Sequence, residues 1–245
     1  MSDTEKAGRP TPVAAQIERL IDAVPGWTPP DQLLALHMLA TTTAPLGGDI
    51  LEIGSWCGRS TAVLGHAVQA SGVGHVWAVD LFPQASDWRT NADGSHSFAA
   101  QVGGMVVGAY EEQTVWDEPY QRDIATVYQK FNGILDAFKA TIDVEKLNDV
   151  VTPFRGTAKM FVDQAAADTR LRLAFLDGDH SYNGVVADID AAEHLLVPGG
   201  WIAFDDAFSV YDGVDAAIRE RVIASGRYEF AHQVCRKFFI ARLKR

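Results

Sequence analysis

The chain has 245 residues, 47% hydrophobic and 22% charged, which suits one globular domain with or without a sizeable insertion. Its 21 Lys and Arg against 32 Asp and Glu give a formal net charge of −11. Surfaces that bind nucleic acid or anionic membranes are basic. This balance therefore argues against both partners, and we expect neither a nucleic acid nor a membrane.

The two cysteines and the N-terminal residues indicate the compartment. Cys57 and Cys235 lie far apart and form no metal-binding or redox motif, which indicates reduced thiols. Residues 1–12 are polar and lack the apolar core of a signal peptide. No stretch reaches the roughly eighteen apolar residues that a membrane-spanning helix needs. We therefore expect a cytoplasmic protein.

A tail and two helices are predicted for residues 1–45. Residues 1–12 are predicted to be a loose tail. Apolar residues at helical spacing predict a helix over 13–23, which Pro25-Gly26 ends. A second helix follows, and Asp31 is its predicted N-terminal cap.

From residue 46 to residue 245, short apolar strands alternate with helices. The predicted strands are 49–53, 75–81, 149–154, 171–176 and 201–204. The predicted helices are 60–70, 122–140, 158–166, 183–196 and 213–225. Residues 228–234 and 237–243 are predicted to close the chain as a hairpin. The alternation predicts an α/β, doubly wound sheet of seven strands, mostly parallel with an antiparallel C-terminal hairpin.

The connection between the second and third predicted strands is longer than one helix and its loops require. The chain from Leu81 to Asp149 is more than twice the roughly thirty residues that a strand-helix connection needs. Its first part, an insertion at about 82–121, has no clean period and mixes aromatic with polar residues. Long insertions at the carboxyl edge of a sheet are usually lids or binding loops. A decorative segment or an oligomer contact is the alternative.

The loop after the first strand contains the pattern E-x-G-x-x-x-G, from Glu52 to Gly58. A dinucleotide-binding loop would have G-x-G-x-x-G, so that a pyrophosphate can approach the backbone. Trp56 stands where the second glycine should be, and Glu52 suits a cationic ligand better than a phosphate. The loop therefore disfavours NAD.

Acidic residues follow two successive predicted strands. Asp177 ends the fourth strand, and Asp205 and Asp206 end the fifth. Strand ends meet at one edge of a doubly wound sheet, where three carboxylates would repel and attract a cation. Oxygen ligands favour Mg²⁺, or Ca²⁺ or Mn²⁺, over Zn²⁺. The alternative is local: Asp177 could begin a turn with Gly178, and Asp206 could cap a helix.

The glycine-bearing loop resembles motif I of the class I S-adenosylmethionine-dependent methyltransferases, which have a Rossmann-like fold. In that family the turn passes under the methionyl part of the cofactor, and an acid at the second strand end, here Asp80, binds the ribose. The loop around Thr157 borders the adenine. The resemblance implies that these residues bind the cofactor: Glu52, Gly54, Ser55, Gly58, Ser60, Thr61, Asp80, Thr157, Ala158 and Asp177.

The segment DGDHSY, followed by PGGW-x3-DD, resembles the macrocin O-methyltransferase family, whose members methylate sugar hydroxyls with the help of a metal ion. The resemblance covers about 49–208, with a poor match in the insertion. It implies that Asp177, Asp205 and Asp206 bind the metal. The general base of the family falls on Asp179 in some members and on His180 in others, and the sequence leaves both open.

The resemblance implies a metal-dependent O-methyltransferase that uses S-adenosylmethionine and Mg²⁺ to methylate a small molecule with vicinal hydroxyls. The expected acceptor is a sugar of a secondary metabolite, with a catechol-type phenol as the nearest rival. A non-catalytic cofactor-binding relative, a nucleic-acid methyltransferase and a cephalosporin-hydroxylase-like enzyme are the remaining alternatives. Members of the family often form oligomers through their N-terminal helices, so a homo-oligomer is a mild expectation.

Overall fold

The structure is a computed structural model that describes residues 13–109 and 114–245. The predicted tail over 1–12, and residues 110–113 of the insertion, lie outside the described residues. The helices and strands are, in chain order, α1 (Val13–Ala23), α2 (Pro30–Thr42), β1 (Asp49–Ile53), α3 (Arg59–Ser71), β2 (Val76–Asp80), β3 (Trp88–Thr90), β4 (His96–Val102), β5 (Met105–Ala109), α4 (Asp117–Pro119), α5 (Thr126–Lys130), α6 (Ile134–Val144), β6 (Val151–Arg155), α7 (Ala158–Gln164), β7 (Leu171–Leu176), α8 (Tyr182–Leu195), β8 (Leu196–Phe204), α9 (Asp212–Ala217), β9 (Tyr228–Cys235) and β10 (Phe238–Leu243).

A seven-stranded sheet in the order β6-β2-β1-β7-β8-β10-β9 forms the centre of the fold. The first five strands in this order pair in parallel, and β10 is antiparallel to both of its neighbours. This confirms the predicted doubly wound sheet with its antiparallel hairpin. The order reverses between β1 and β7, which places the ligand-binding edge at the carboxyl ends of these two strands.

Helices cover both faces of the sheet. Leu20 and Leu36, from α1 and α2, share one hydrophobic cluster with Leu64 of α3 and Phe138 of α6. The other cluster lies under α7, α8 and α9. Because parallel strands are buried on both faces, β7 is buried along its whole length, and all of its residues except Arg172 are apolar. In the described part of the chain, no helix has both the length and the apolar character needed to cross a membrane.

The structure corrects two predictions about helix ends and strand ends. The cap of α2 is Pro29, not Asp31, because Pro30 already has the backbone angle of a first helical residue and Asp31 lies inside the first turn. The fifth predicted strand begins at Leu196 and not at 201. Its first residues pair with the start of β7, before a register shift near Leu171.

The predicted helix over 122–140 is wrong as a single helix. A π-helical turn over 120–125 leads into α5, and the chain then extends at Phe131 before α6 begins at Ile134. Gly133 is extended there and packs closely against the Gln84 side chain, which would meet a Cβ atom at 2.7 Å. This packing against the insertion interrupts the helix, and it is a long-range contact that local periodicity does not report.

The insertion contains a second sheet that the sequence analysis did not predict. The strands β3, β4 and β5 form an antiparallel meander. Trp88 packs against Phe98 at 4.9 Å and against Tyr120 at 5.1 Å between ring centroids. One face of β4, with His96, Phe98, Ala100 and Val102, is buried, whereas on the other face Ala99 is half-buried and Gln101 is exposed. Because the polar residues at the start of β4 are buried and Ala99 is not, apolar and polar residues do not alternate along the strand as its burial does.

Candidate active site

A cleft of about 400 Å³ opens at the carboxyl edge of the sheet. It lies between the insertion on one side and residues 25–28, which join α1 to α2, on the other. A larger cavity of about 610 Å³ lies beside the ends of α7 and α8. Its Arg170 side chain already donates to the carbonyls of Ala167 and Thr169. The acidic residues gather in the smaller cleft, which is therefore the candidate site.

The residues that the sequence analysis selected fall into three groups. Those that line the cleft are Gly54, Ser55, Ser60, Asp80, Asp177, His180, Asp205 and Asp206. Those that lie in or under the loop after β1, without lining the cleft in the described structure, are Glu52, Gly58 and Thr61. The cleft lining in the described part of the chain does not include Thr157, Ala158 and Asp179.

Gly54 makes the first loop possible. Its φ is 90°, and a Cβ atom there would lie 1.9 Å from the carbonyl oxygen of Asp177. A side chain would therefore be strained and would collide with the end of β7. The backbone N–H of Asp177 also donates to the Ile53 carbonyl at 2.8 Å. The first loop and the acidic strand end are thus one packed unit.

Glu52 is a buried acid with neutral partners. The Thr61 hydroxyl donates to its Oε2 atom. Burial raises the pKa of Glu52 to about 7, although the hydroxyls of Ser60, Thr61 and Ser55 oppose the shift. Among the described residues, Glu52 Oε1 and Ser55 Oγ have no hydrogen-bond partner of normal geometry. A cationic group from a ligand would satisfy these atoms.

Asp80 lies at the end of β2 and lines the cleft, as the family resemblance implies for the acid that binds ribose. Its two oxygens accept hydrogen bonds from the backbone N–H groups of Trp56, at 2.9 Å, and Phe82, at 2.6 Å. Burial raises its pKa, and these amide donors oppose the shift. Asp80 therefore also holds the first loop against β2.

The loop after β6 is close to Asp80, but its two selected side chains have structural contacts. The Gly156 N–H donates to the carbonyl of Asp80 at 2.9 Å. Thr157 caps α7 by accepting a hydrogen bond from the Met160 N–H, and Ala158 is buried in the core. Any contribution of this loop to a ligand would come from its backbone.

The structure brings the predicted acidic residues together. Burial raises the pKa of Asp177 well above its ordinary value, and the carboxylates of Asp205 and Asp206 raise it further. Among the described residues, a possible metal-ligand atom of Asp177 lies within 4.8 Å of one from His180 and one from Asp206, and these two also lie within 4.8 Å of each other. Asp205 is close by, but its Oδ1 accepts from the Gln32 amide and from the Asp206 N–H, both at 2.6 Å.

Two side chains that contact the acidic cluster, Lys237 and Gln32, were not predicted from the sequence. Lys237 Nζ lies 2.5 Å from Asp206 Oδ1 and 3.3 Å from Asp205 Oδ1. Gln32 reaches Asp205 from α2 and is fully buried. The position of Lys237 was open to prediction, because an antiparallel last strand begins beside the carboxyl end of its neighbour. Nothing near Gln32 in the sequence points to the site.

The structure separates the two candidate bases. Asp179 accepts a hydrogen bond from the Ser181 N–H at 2.8 Å and packs under Gly184, at the start of α8. Its neighbour Asp188 has a pKa raised to about 8 by burial and by the charge of Asp179. His180 instead lines the cleft, with Nε2 3.0 Å from Asp206 Oδ2 and its ring 4.1 Å from the ring of Tyr211.

The insertion forms an aromatic wall of the cleft, which agrees with a binding loop. Trp88, Phe98 and Trp116 line this wall. Across the cleft, the rings of Trp27 and Trp56 pack at 5.5 Å. The Trp27 indole N–H donates to Asp123 of the π-helical turn at 3.3 Å, so the two walls are joined.

The sheet order, the antiparallel C-terminal pair and the glycine turn over Glu52 are those of the class I S-adenosylmethionine-dependent methyltransferases. Residues 51–207, more than half of the chain, match the family described as Methyltransferase domain. The chain belongs to this methyltransferase family. The match confirms the enzyme class that the motifs predict.

Solved structures share the fold at low sequence identity. The O-methyltransferase NovP is 16% identical, with a TM-score of 0.61, over 87% of this chain and 79% of NovP. An O-methyltransferase from Bacillus cereus in complex with SAH is 19% identical, with a TM-score of 0.58, over 95% and 90% of the two chains. CalS11, a TDP-rhamnose 3'-O-methyltransferase of calicheamicin biosynthesis, is 15% identical, with a TM-score of 0.52, over 98% and 99%. These likenesses confirm the predicted fold.

Proposed function

We propose that the protein is a metal-dependent O-methyltransferase that methylates one hydroxyl of a small molecule with vicinal hydroxyls, a sugar of a secondary metabolite. The observation that carries this proposal is the meeting of two features in one cleft. The glycine loop over Glu52 and the carboxylates of Asp177, Asp205 and Asp206 lie within one packed unit. The donor and the acceptor hydroxyl would therefore meet between them.

The first loop fits S-adenosylmethionine. The unpartnered oxygens of Glu52 and Ser55 would hold its amino group, and Asp80 would bind its ribose. Trp56 and Gly54 line the same part of the cleft. When bound, the cofactor supplies a methyl group on a sulfonium, already activated for transfer. The protein's task is then to place and deprotonate the acceptor.

The acidic cluster fits a hard divalent cation such as Mg²⁺. Burial and the neighbouring carboxylates raise the pKa of Asp177, and a cation would relieve the repulsion among the three acids. Carboxylate oxygens are the ligands that Mg²⁺ prefers. Asp177, Asp205 and Asp206 would hold the ion. A divalent ion bound to vicinal hydroxyls lowers their pKa and fixes their position.

His180 is the base in this proposal. Although burial alone would raise it, the pKa of Asp206 is lowered by its contacts with His180 and Lys237, so that Asp206 is a carboxylate. His180 would accept the proton of the acceptor hydroxyl, and its Nε2 lies 3.0 Å from Asp206 Oδ2. Asp206 stabilises the imidazolium that results. Asp179 is committed to the start of α8 and takes the role of a structural residue.

Two acceptor classes are candidates. CalS11 acts on a sugar according to its name, which supports a sugar acceptor here. The aromatic wall of Trp88, Phe98 and Trp116 favours a flat apolar group next to the hydroxyls. A catechol-type phenol is for this reason the second candidate, because its two hydroxyls also chelate a metal.

The test is methyl transfer by the full chain with Mg²⁺ or with EDTA, using glycosides with free vicinal hydroxyls and substituted catechols. Methylated product is detected by mass spectrometry. We expect product only with Mg²⁺, and none from Asp177→Asn. Asp163→Asn, on the exposed side of α7, is the matched control and should be fully active. Transfer that is equally fast in EDTA would refute the metal dependence.

A further inference from the structure

Lys237 occupies an unusual place in the acidic cluster. Its backbone carbonyl accepts a hydrogen bond from the Ala207 N–H at 2.9 Å, so the main chain is anchored beside the end of β8. Its ammonium lies between Asp205 Oδ1 and Asp206 Oδ1 and bridges the two neighbouring carboxylates. The side chain is 27% exposed, while those of Asp205 and Asp206 are 3% and 9% exposed.

Charge explains why Lys237 is held there. Three carboxylates meet at this edge, and two of them are buried. Among the described residues that line the cleft, the other side chain with a permanent positive charge is Arg59. Its guanidinium donates instead to the carbonyls of Ile21 and Val24. Lys237 is therefore the permanent cation that offsets the charge of Asp205 and Asp206 in the described structure.

A divalent ion and Lys237 would compete for the same oxygens. An ion that Asp205 and Asp206 hold together must approach their carboxylate oxygens to about 2.0–2.6 Å. The ammonium already contacts one of these oxygens on each side chain. Two cations at that distance from one another repel strongly. The four-carbon stem of a lysine is flexible, and its head can turn towards solvent while the backbone stays fixed.

We propose that Lys237 is a tethered cation that competes with the divalent metal ion for Asp205 and Asp206, so that the metal binds only when the ammonium withdraws. The inference rests on the metal-dependent function proposed above. In the metal-free protein Lys237 keeps the two buried acids together. The presence of Lys237 beside these acids weakens the affinity of the protein for the metal ion.

The experiment measures metal binding and stability without any turnover. Mn²⁺, whose free form is counted by electron paramagnetic resonance, is titrated into wild type, Lys237→Met and Lys237→Arg. Lys159→Met is the control, because this lysine pairs with Asp163 on the exposed side of α7. Thermal unfolding of each protein is followed in EDTA and in saturating Mn²⁺.

We expect Lys237→Met to bind Mn²⁺ about tenfold more tightly than wild type or more, since a repelling charge is removed. It should melt at a lower temperature in EDTA and recover in Mn²⁺. Lys237→Arg, which keeps the charge, should bind Mn²⁺ as wild type does, and so should Lys159→Met. The recovery in Mn²⁺ separates loss of the tethered cation from a general folding defect.

Two results overturn the inference in different ways. If wild type binds Mn²⁺ and Lys237→Met binds it equally or more weakly, Lys237 does not compete, while the proposed function stands. If neither protein binds Mn²⁺, the metal dependence of the proposed function fails together with the inference. Binding of S-adenosylhomocysteine, measured in the same samples by calorimetry, reports whether the cofactor half of the site is intact.

Discussion

Two regions at the carboxyl edge of the sheet differ in how they accommodate buried carboxyl groups. At the end of β1, Glu52 is buried among neutral hydroxyls, and burial raises its pKa to about 7. At the ends of β7 and β8, three carboxylates meet, and Lys237 bridges two of them. In the function proposed above, the first region takes its cation from the ligand, whereas the second already has the ammonium of Lys237. Glu52 thus has an oxygen without a partner in the described structure, while Asp205 and Asp206 have a positive charge beside them.

The largest effect is expected where the two regions touch. Gly54→Ala would place a Cβ atom 1.9 Å from the Asp177 carbonyl oxygen at a φ of 90°. We expect a loss of about 3 kcal/mol or more in the free energy of unfolding, measured by denaturant titration. Gly72→Ala, with a φ of 66° and nothing within 4 Å, is the control and should lose about 1 kcal/mol. Equal losses would mean that strain, and not the contact between the two regions, sets the cost.

The next effect concerns the acidic region alone. Asp206→Asn removes the charge that His180 and Lys237 share. We expect Mn²⁺ affinity and the rate of methyl transfer to fall by about a hundredfold or more. The affinity for S-adenosylhomocysteine should change little, because Glu52 and its loop are untouched. A comparable loss of cofactor affinity would show that the two regions are energetically one site.

A third comparison separates His180 from Asp179. His180→Ala should lower kcat by about a hundredfold or more with unchanged affinity for S-adenosylhomocysteine, since the base is lost. Asp179→Ala should retain kcat within a few-fold and lose about 1 kcal/mol of stability, since it removes the acceptor of the Ser181 N–H. Rate measurements and denaturant titrations on both variants check this. The opposite pattern would assign the base to Asp179.

The last expected effect is a dependence of stability on pH that belongs to Glu52. Its pKa is about 7 in the folded protein against an ordinary 4.5, so folding favours the protonated acid. Its contribution to stability is complete below pH 4.5 and is lost as the pH rises through 7, up to about 3 kcal/mol. The cofactor-free Glu52→Gln variant should therefore be more stable than wild type at pH 8 and equal to it at pH 4.5.

If the amino group of S-adenosylhomocysteine pairs with Glu52, this ligand should make wild type more stable than Glu52→Gln at pH 8. At pH 8 the ligand should raise the melting temperature of wild type far more than that of Glu52→Gln. The exposed Glu118→Gln variant serves as the control, and its stability should follow wild type at every pH. An identical shift in all three proteins would exclude Glu52 from cofactor binding.

Local patterns in the sequence determined the architecture and the position of the acids. Apolar runs alternating with helical periods predicted the doubly wound sheet, because each element must bury its own face. Since parallel strands end at one edge, the sequence places Asp80, Asp177 and Asp205 at that edge, where they line the cleft. The resemblance to methyltransferases rests on these same strand ends.

Only the tertiary structure decided what surrounds those acids. Gln32 lies 173 residues from its partner Asp205, and Lys237 lies 31 residues from its partner Asp206. No local periodicity predicts contacts between residues so far apart in the sequence. The proposal of His180 instead of Asp179 as the base rests on the start of α8, where Asp179 accepts a hydrogen bond from the N–H of the N-cap residue Ser181. The strands of the insertion could not be predicted, because β4 buries the polar His96 and Ser97 and its residue types therefore do not follow its burial. Tertiary packing alone defines the aromatic wall.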